Sequence, residues 1–207
     1  MEKYKTILSP ASDEFVERRS RFIGNIKPVS SSEEAIAFIN DIKSKYWDAT
    51  HNVYAYVLRE GQTRRYSDDG EPQGTAGMPV LNVLLKEELT DCVVTVTRYF
   101  GGVLLGAGGL VRAYSHGAKI AVDAGKIITV SLCDILKIVS DYNFYGRLVP
   151  LVSEYGGKIE DTDFADGVTL TVKMPSDVSR AFDDKMFDLS NGRFKSEKIG
   201  EIFASVD

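Results

Sequence analysis

Hydrophobic residues recur at helical spacing in three segments of the N-terminal half of the chain. The first segment is residues 31–47, SSEEAIAFINDIKSKYW, in which Ser31 is followed three positions later by Glu34, a pattern typical of a capped helix start. Its apolar positions at helical spacing are Ala35, Ile36, Phe38, Ile39 and Ile42. The pattern predicts an amphipathic helix with one face buried.

Two further helices are predicted downstream. Residues 78–88, MPVLNVLLKEE, have a helical pattern, and Pro79 is tolerated because it stands in the first turn. From Gly109 to Ala124 the pattern is helical again, and Gly125 is expected to end this helix at its C′ position. One face carries Leu110, Ala113, Ala118 and Ala121, and another carries Arg112, His116, Lys119 and Asp123.

Runs of β-branched and aromatic residues predict strands around these helices. Residues 14–29 (EFVERRSRFIGNIKPV) have extended character, and residues 51–60 (HNVYAYVLRE) predict a strand. In residues 91–100 (DCVVTVTRYF) the mostly apolar first half indicates a strand buried on both faces. The polar connection of residues 61–77 (GQTRRYSDDGEPQGTAG) is long enough to suggest a functional loop.

The pattern changes in the C-terminal part of the chain. Residues 134–207 predict the order strand, helix, strand, strand, helix, strand, which is the βαββαβ order of ferredoxin-like domains. We therefore expect an α+β protein of two domains, residues 1–133 and residues 134–207, with the boundary near Leu132–Asp134.

The composition, with 43% hydrophobic and 27% charged residues, is that of an ordinary globular protein. No apolar run approaches the ~20 residues that span a bilayer, and the N-terminal residues lack the basic-then-apolar pattern of a signal peptide. Both cysteines, Cys92 and Cys133, lie among strand-like apolar residues and are expected to be reduced core thiols. These features predict a cytoplasmic protein that does not cross a membrane.

Charge is unevenly distributed along the chain. Residues 1–133 carry 16 Lys and Arg against 16 Asp and Glu, whereas residues 134–207 carry 9 against 14, which accounts for the net charge of −5. Nucleic-acid binders usually present a basic surface, because neutralising phosphates supplies most of the non-specific affinity. The acidic C-terminal part is therefore a poor candidate for this role, whereas the neutral part could concentrate its eight arginines on one face.

A glycine-rich stretch, residues 98–114 (RYFGGVLLGAGGLVRAY), joins the last N-terminal strand to the third helix. A strand, a glycine turn and a helix start can bind anions, because the first N–H groups of a helix have no partner within it. Known phosphate signatures fail, since Ala107 stands where a Walker A loop requires lysine and no G-x-G-x-x-G match is present. Close backbone packing is the alternative role of these glycines. The flanking Arg98 and Arg112 leave both interpretations open.

The polar loop holds a second group of candidates, which could bind a hard cation. The spacing of an EF-hand fails, and a turn capped by solvated carboxylates is the favoured alternative. His51 is either a general base, a ligand or a hydrogen-bonded structural residue, and His116 is expected to be solvated. With two distant histidines and no Cys-x-x-Cys, no standard zinc site is expected. The loop candidates are Ser67, Asp68, Asp69 and Glu71.

Four long segments together resemble the IMPACT family, in particular its bacterial two-domain members of the YigZ type. In order along the chain, the segments are RRSRFIG, DATHNVYAYV, RRYSDDGEPQGTAGMPVL and VTRYFGGVLLGAGGLVRAY, which cover most of residues 18–125. The C-terminal 74 residues resemble the small ferredoxin-like domain of these bacterial members, which is similar to a C-terminal domain of elongation factor G.

The resemblance implies an N-terminal two-layer βαβ sandwich, similar to a domain of a small-subunit ribosomal protein. It also implies a cytoplasmic protein linked to the control of translation. Eukaryotic relatives regulate the response to amino-acid starvation through an additional N-terminal domain, for which this chain has no room before RRSRFIG. The family has no firmly assigned catalytic residues to transfer, and the chain is not expected to be an enzyme.

We expect the glycine stretch, the acidic loop and the motif strands to converge on one cleft that binds a ligand or nucleic acid. One hypothesis is a regulator that binds the ribosome, RNA or a translation factor, with no DNA, cofactor or metal. The alternative is an enzyme or sensor for a nucleotide or another phosphorylated small molecule. The candidate cleft residues are Arg21, His51, Arg65, Asp68, Asp69, Glu71, Arg98, Gly101, Gly102, Gly108, Gly109 and Arg112.

Overall fold

A computed structural model describes residues 3–205, which divide into two compact units. The first unit is Tyr4–Ile128, and the second begins at Thr129. The expected boundary near Leu132–Asp134 lies inside one continuous strand, Ile127–Ser140. None of the helices within residues 3–205 is long and apolar enough to span a membrane.

The first unit contains an antiparallel sheet and three helices. The strands of this sheet are β2 (Ala11–Glu17), β3 (Ser20–Pro28), β4 (His51–Val57), β5 (Arg64–Ser67) and β6 (Cys92–Tyr99), whereas β1 (Tyr4–Ile7) lies outside it. The helices are α1 (Ser32–Lys45), α2 (Gly77–Lys86) and α3 (Ala107–Gly125). The sheet has the order β2-β3-β6-β4-β5, and β5 forms within the connection that was expected to be a loop.

The two faces of this sheet are covered by different helices. Alternate residues of β3, β4 and β6, such as Phe22, Val53 and Val96, pack with α2 and α3 in the main core. The intervening residues, such as Tyr56 and Val93, pack with α1 in a smaller cluster. The expected two-layer sandwich is therefore formed by the sheet with α2 and α3, and α1 covers part of the opposite face of the sheet.

The start of α1 follows its local sequence signal, whereas the end of α3 does not. Ser31 caps α1 as expected, because its Oγ accepts the Glu34 N–H at 3.2 Å. At the end of α3, however, Gly125 is the last helical residue and Lys126 takes the left-handed conformation with φ 58°. Gly125 is needed for packing instead, since a Cβ there would lie 2.6 Å from Cγ2 of Ile7. The expectation that Gly125 is the C′ residue is wrong.

The second unit has the predicted ferredoxin-like element order. Its elements are β7 (Ile127–Ser140), α4 (Tyr142–Glu154), β8 (Lys158–Phe164), β9 (Val168–Pro175), α5 (Ser179–Leu189) and β10 (Ser196–Ser205). The strands pair in the order β10-β7-β9-β8, and every pair is antiparallel. Two helices pack on this sheet around a core that includes Leu148, Leu170 and Phe182. The α+β, two-domain prediction is confirmed, whereas the likeness to ribosomal and elongation-factor domains stays a prediction.

Candidate functional site

A surface cavity of about 450 Å³ lies beside the start of α3; we call it the Glu71 cavity. Three polar residues with ionisable side chains line it, His51, Glu71 and Arg98, together with Thr50, and its apolar lining includes Phe100, Leu104, Leu105 and Leu110. A volume of this size is within the range of small-molecule sites in proteins. The three polar residues belong to separate parts of the sequence, so the fold alone brings them together.

The sheet register places His51 and Arg98 side by side. His51 is the first residue of β4 and pairs directly with Arg98 near the end of β6. Both side chains project to the α3 side. Arg98 stands two residues after the buried Val96, and His51 two residues before the buried Val53, and residues two apart in a strand share a face. Glu71 reaches the same place from the connection between β5 and α2.

Glu71 accepts two strong hydrogen bonds at one oxygen. Nη1 of Arg98 donates to Glu71 Oε1 at 2.6 Å, and the Tyr114 hydroxyl donates to the same oxygen at 2.7 Å. Burial raises the pKa of Tyr114 above its ordinary value, and the hydrogen bond to Glu71 raises it further. Tyr114 is therefore a neutral donor that, together with Arg98, holds a buried carboxylate in place.

His51 is fixed in one tautomer by a backbone carbonyl. Its Nδ1 lies 2.8 Å from the carbonyl oxygen of Asp69, which can only accept a hydrogen bond. Neutral His51 therefore carries its proton on Nδ1, and Nε2 keeps a free lone pair. Nε2 lies 3.8 Å from Glu71 Oε1, which is too far for a hydrogen bond.

The other carboxylates of the acidic loop are used to build it. Asp68 accepts the backbone N–H groups of Gly74, Ala76 and Gly77 at 2.9, 3.1 and 2.8 Å, so it caps the start of α2. Asp69 accepts the Asn52 N–H at 2.6 Å and Nζ of Lys43 at 2.7 Å. Within residues 3–205, no group of three or more His, Cys, Asp or Glu is placed to hold a metal ion. The expectation of solvated carboxylates is wrong, because backbone donors and a lysine occupy them.

The glycines of this stretch have different roles, and close backbone packing, one of the two roles left open, applies to Gly101. Gly101 lies against the backbone of Arg19, where a Cβ would be 2.0 Å from the carbonyl oxygen, and its N–H donates to Ser20 Oγ at 3.1 Å. Gly102 takes a turn conformation with φ 81°. Helix α3 is preceded by Gly106, so its first N–H groups begin at Ala107 beside the Glu71 cavity. The N–H groups without a partner within the helix therefore lie at the start of α3, whereas the Gly101 N–H is already bonded to Ser20.

Two of the expected cleft residues lie on the opposite face of the sheet. Arg21 alternates with the buried Phe22, forms an ion pair with Glu14 at 2.6 Å and pairs across the sheet with Tyr99. Arg65 pairs with Tyr56, which packs on the α1 side. Strand alternation excludes both residues from the Glu71 cavity, so their expected place in the cleft is wrong.

Arg112 and Gly109 line a neighbouring surface cavity of about 500 Å³, the Arg112 cavity. Arg18 and His116 line it too, and the His116 ring packs edge-on against Phe15 with centroids 4.5 Å apart. Gly108 lies beside this region in the first turn of α3. The twelve expected residues therefore do not form one cleft. They lie in the Glu71 cavity, in or beside the Arg112 cavity, in the loop before α2, in the connection after β6 and on the opposite face of the sheet.

Sequence reasoning missed two kinds of residue. Tyr114 lies one helical turn after Leu110 on the buried face of α3, and a buried tyrosine needs a hydrogen-bond partner. The helical spacing from Leu110 therefore indicates, from the sequence alone, that Tyr114 is buried. Arg18 and Arg19 form the β2–β3 turn with φ 46° and 66°, and no sequence signal indicated that this turn lies beside α3.

Comparison with known proteins shows two matching families. Residues 18–122 match the Impact N-terminal domain, and residues 138–193 match a domain of unknown function, DUF1949. The chain is 36% identical over 203 residues to IMPACT family member YvyE of Bacillus subtilis (strain 168), covering 98% of this chain and 93% of that protein. It is 32% identical over 187 residues to IMPACT family member YigZ of Escherichia coli (strain K12), covering 89% and 92%.

A solved structure also resembles the whole chain. It is titled as the crystal structure of a hypothetical protein, is 30% identical and superposes with a TM-score of 0.61. The match covers 97% of this chain and 98% of that one. Both sequence and fold are therefore shared over both units.

Proposed function

The chain belongs to the IMPACT family, and on this premise we propose that it is a cytoplasmic regulator associated with translation that binds ribosomal RNA through its first unit. The regulatory role of the family's eukaryotic members supports the general class. The chemistry of the Arg112 cavity supports RNA as the partner. We propose no catalytic step for this surface.

One observation carries the proposal: the exposed Arg18 and Arg112 line the Arg112 cavity, Arg19 follows Arg18 in the β2–β3 turn, and none of the three forms an ion pair within residues 3–205. Glu17 adds one carboxylate to the lining. By contrast, Lys43 pairs with Asp69 and Arg98 pairs with Glu71. Arginines without a carboxylate partner are available to phosphate oxygens. The neutral net charge of this unit predicts a modest affinity that depends strongly on salt.

Arg98 is not part of this RNA surface, although the sequence suggested it. Its side chain is 6% exposed and already bonded to Glu71. A phosphate cannot reach it without breaking a buried ion pair. The RNA surface is therefore defined by Arg18, Arg19 and Arg112, beside His116.

Cosedimentation with ribosomes from the same source, at low and moderate salt, tests the proposal. We expect the double variant Arg18→Ala, Arg112→Ala to lose retention, and the slope of log affinity against log salt to fall by about 1–2. The matched control is Arg64→Ala, Arg65→Ala on β5, which removes the same charge away from the Arg112 cavity.

Equal losses in both double variants would contradict the proposal, since they would indicate a non-specific charge effect. Absence of retention of the unmodified protein at both salt concentrations would also contradict it. Retention that resists ribonuclease treatment and salt would indicate a translation factor as the partner instead of RNA.

A further inference from the structure

The Glu71 cavity contains unused hydrogen-bonding groups that the RNA surface does not explain. We propose that it binds a small organic anion that carries a hydroxyl or amino donor next to its anionic head group. This inference is independent of the proposed ribosome binding, because the two cavities have different polar residues.

The start of α3 supplies the position for the anionic head. This 19-residue helix begins at Ala107, and no side chain caps it and no acidic residue stands in its first turn. The N–H groups of Ala107, Gly108 and Gly109 have no acceptor within the helix, because an α-helix leaves its first N–H groups unpaired. Of these residues, Ala107 lines the Glu71 cavity, whereas Gly109 lines the Arg112 cavity. Aligned peptide dipoles add a partial positive charge at this end.

Glu71 is a second and independent indication of a ligand. The residue is 8% exposed and lines the cavity. Oε1 receives the bonds from Arg98 and Tyr114, whereas Oε2 accepts no hydrogen bond from any residue in 3–205. The atom is not among the buried side-chain atoms that lack a partner, so Oε2 remains accessible at the cavity that Glu71 lines. A hydroxyl or amino group of a ligand would supply a donor to it.

The remaining polar groups agree with such a ligand. Nε2 of neutral His51 is a free acceptor beside Glu71, so the lining offers two acceptors to the ligand's donor. Arg98 neutralises Glu71, which limits repulsion of an anion at the helix start. Nε of Arg98 is itself buried without a hydrogen-bond partner.

The apolar residues set the size and character of the rest of the ligand. Pro72, Phe100, Leu104 and Leu105 form much of the lining. They can contact a short carbon skeleton and keep water from the polar groups. The cavity is thus suited to a hydroxy acid, an amino acid or a sugar phosphate of a few carbons. Carboxylate and phosphate share the chemistry needed at the helix start.

A titration of the ¹⁵N-labelled full chain followed by NMR tests the proposal with four probes. Lactate and glycerol 3-phosphate have both an anion and a donor, whereas propionate has only the anion and glycerol only the donor. We expect lactate or glycerol 3-phosphate to shift the amide signals of Gly70, Gly106 and Ala107, which line the cavity, in a saturable way. The better of the two should bind about tenfold more tightly than propionate and glycerol, as loss of one charged hydrogen bond predicts.

The preference between lactate and glycerol 3-phosphate identifies the head group. The proposal is overturned if neither compound gives a saturable shift at these amides. It is also overturned if propionate or glycerol binds as tightly as the better of the two compounds. In that case either the donor or the anionic group of the ligand would add no affinity.

Two substitutions at one position test the helix start directly. Ala107→Pro removes an N–H at the first helical position, where proline is tolerated. Ala107→Val adds similar bulk but keeps the N–H. We expect the proline variant to bind the better probe about tenfold more weakly than the valine variant. Equal affinities would contradict a role for this N–H, and the probe series decides the proposal even if a variant fails to fold.

Discussion

Nη1 of Arg98 lies 2.6 Å from Oε1 of Glu71, and the two side chains are only 6% and 4% exposed. Arg98 also lies over the Phe22 ring, with its Cζ 5.6 Å from the ring centroid. The two partners are 27 positions apart, so their bond ties the loop before α2 to the central strand β6. This ion pair holds the first unit together, and its two residues also line the Glu71 cavity.

Removing one partner of this pair should be far more costly than removing both. We expect Arg98→Met to destabilise the first unit by about 3–5 kcal/mol, because it leaves the Glu71 charge buried and unpaired. The double variant Arg98→Met, Glu71→Met should recover much of that loss. Urea unfolding followed by circular dichroism measures both values. This account would be contradicted if the loss of unfolding free energy in the double variant equalled the sum of the losses in Arg98→Met and Glu71→Met.

Tyr114 gives the same cluster a dependence on alkaline pH. We expect Tyr114→Phe to lower the free energy of unfolding by about 1.5–3 kcal/mol, the usual value for a hydrogen bond to a charged group. Burial raises the pKa of folded Tyr114 above its unfolded value, so the folded state keeps the proton longer. Its contribution is complete below the unfolded pKa of about 10 and is lost as the pH rises towards the folded pKa. The stability difference between the two proteins should therefore narrow at alkaline pH.

Unfolding curves of both proteins between neutral and alkaline pH check this expectation. Tyr66→Phe is a suitable control, since this side chain is 43% exposed on β5 and its hydroxyl makes no hydrogen bond within residues 3–205. The expectation would be contradicted if the difference in free energy of unfolding between the unmodified protein and Tyr114→Phe stayed constant or widened at alkaline pH. Tyr114 would then ionise at least as readily in the folded state as in the unfolded chain.

Much of the fold was predictable because local signals decide it. The Ser31 and Glu34 pattern gave the start of α1, and the strand and helix order of residues 134–207 gave the ferredoxin-like unit. The polar and apolar faces of α3 were also predicted correctly from periodicity, as the burial of Leu110 and Ala118 shows. These features depend on contacts between near neighbours in the sequence or on repeating patterns.

The candidate site was only partly predictable, because pairing between distant segments decides which residues meet. His51, Glu71 and Arg98 do meet, but Arg21 does not, since it stands next to the inward-facing Phe22 and so projects to the other face. The sequence also could not show that Arg98 is buried. The burial of Arg98 depends on Glu71, which lies in an irregular connection. Hydrophobic periodicity does not predict the path of such a connection.

Asp141 should give the second unit a stability that depends on acidic pH. Its side chain caps α4 by accepting the Phe144 N–H at 2.7 Å, and this bond, with Arg193, lowers the pKa of the carboxyl group. The contribution is present above the unfolded pKa of 3.8 and is lost as the pH falls through the lower folded pKa. We expect Asp141→Ala to lower the thermal midpoint at neutral pH, and the difference to shrink in acid.

Asp166→Ala, in the turn between β8 and β9, is the control, because it removes a carboxylate that has no hydrogen-bond partner in residues 3–205. Thermal unfolding measured at neutral and acidic pH distinguishes the two variants. The explanation would be wrong if both variants lowered the midpoint equally, or if the effect of Asp141→Ala grew as the carboxylates became protonated.

Two glycines of the same stretch should respond oppositely to alanine. A Cβ at position 101 would lie 2.0 Å from the Arg19 carbonyl oxygen, a backbone atom that cannot move away alone. We therefore expect Gly101→Ala to destabilise the first unit by about 1–3 kcal/mol. At Gly108, in the first turn of α3, the nearest atom is Nη1 of Arg112 at 3.6 Å, the end of a flexible side chain. Gly108→Ala should be neutral or stabilise by up to about 1 kcal/mol, because alanine favours the helix.

Urea unfolding of the two alanine variants separates packing from ligand binding as the reason for each glycine. Destabilisation by Gly101→Ala alone would assign Gly101 to packing, as its contact with Arg19 indicates. Gly108→Ala keeps the backbone N–H, so it should also leave binding at the start of α3 intact. A loss of stability at Gly108 equal to that at Gly101 would mean that the start of α3 is more tightly enclosed than its open surroundings indicate.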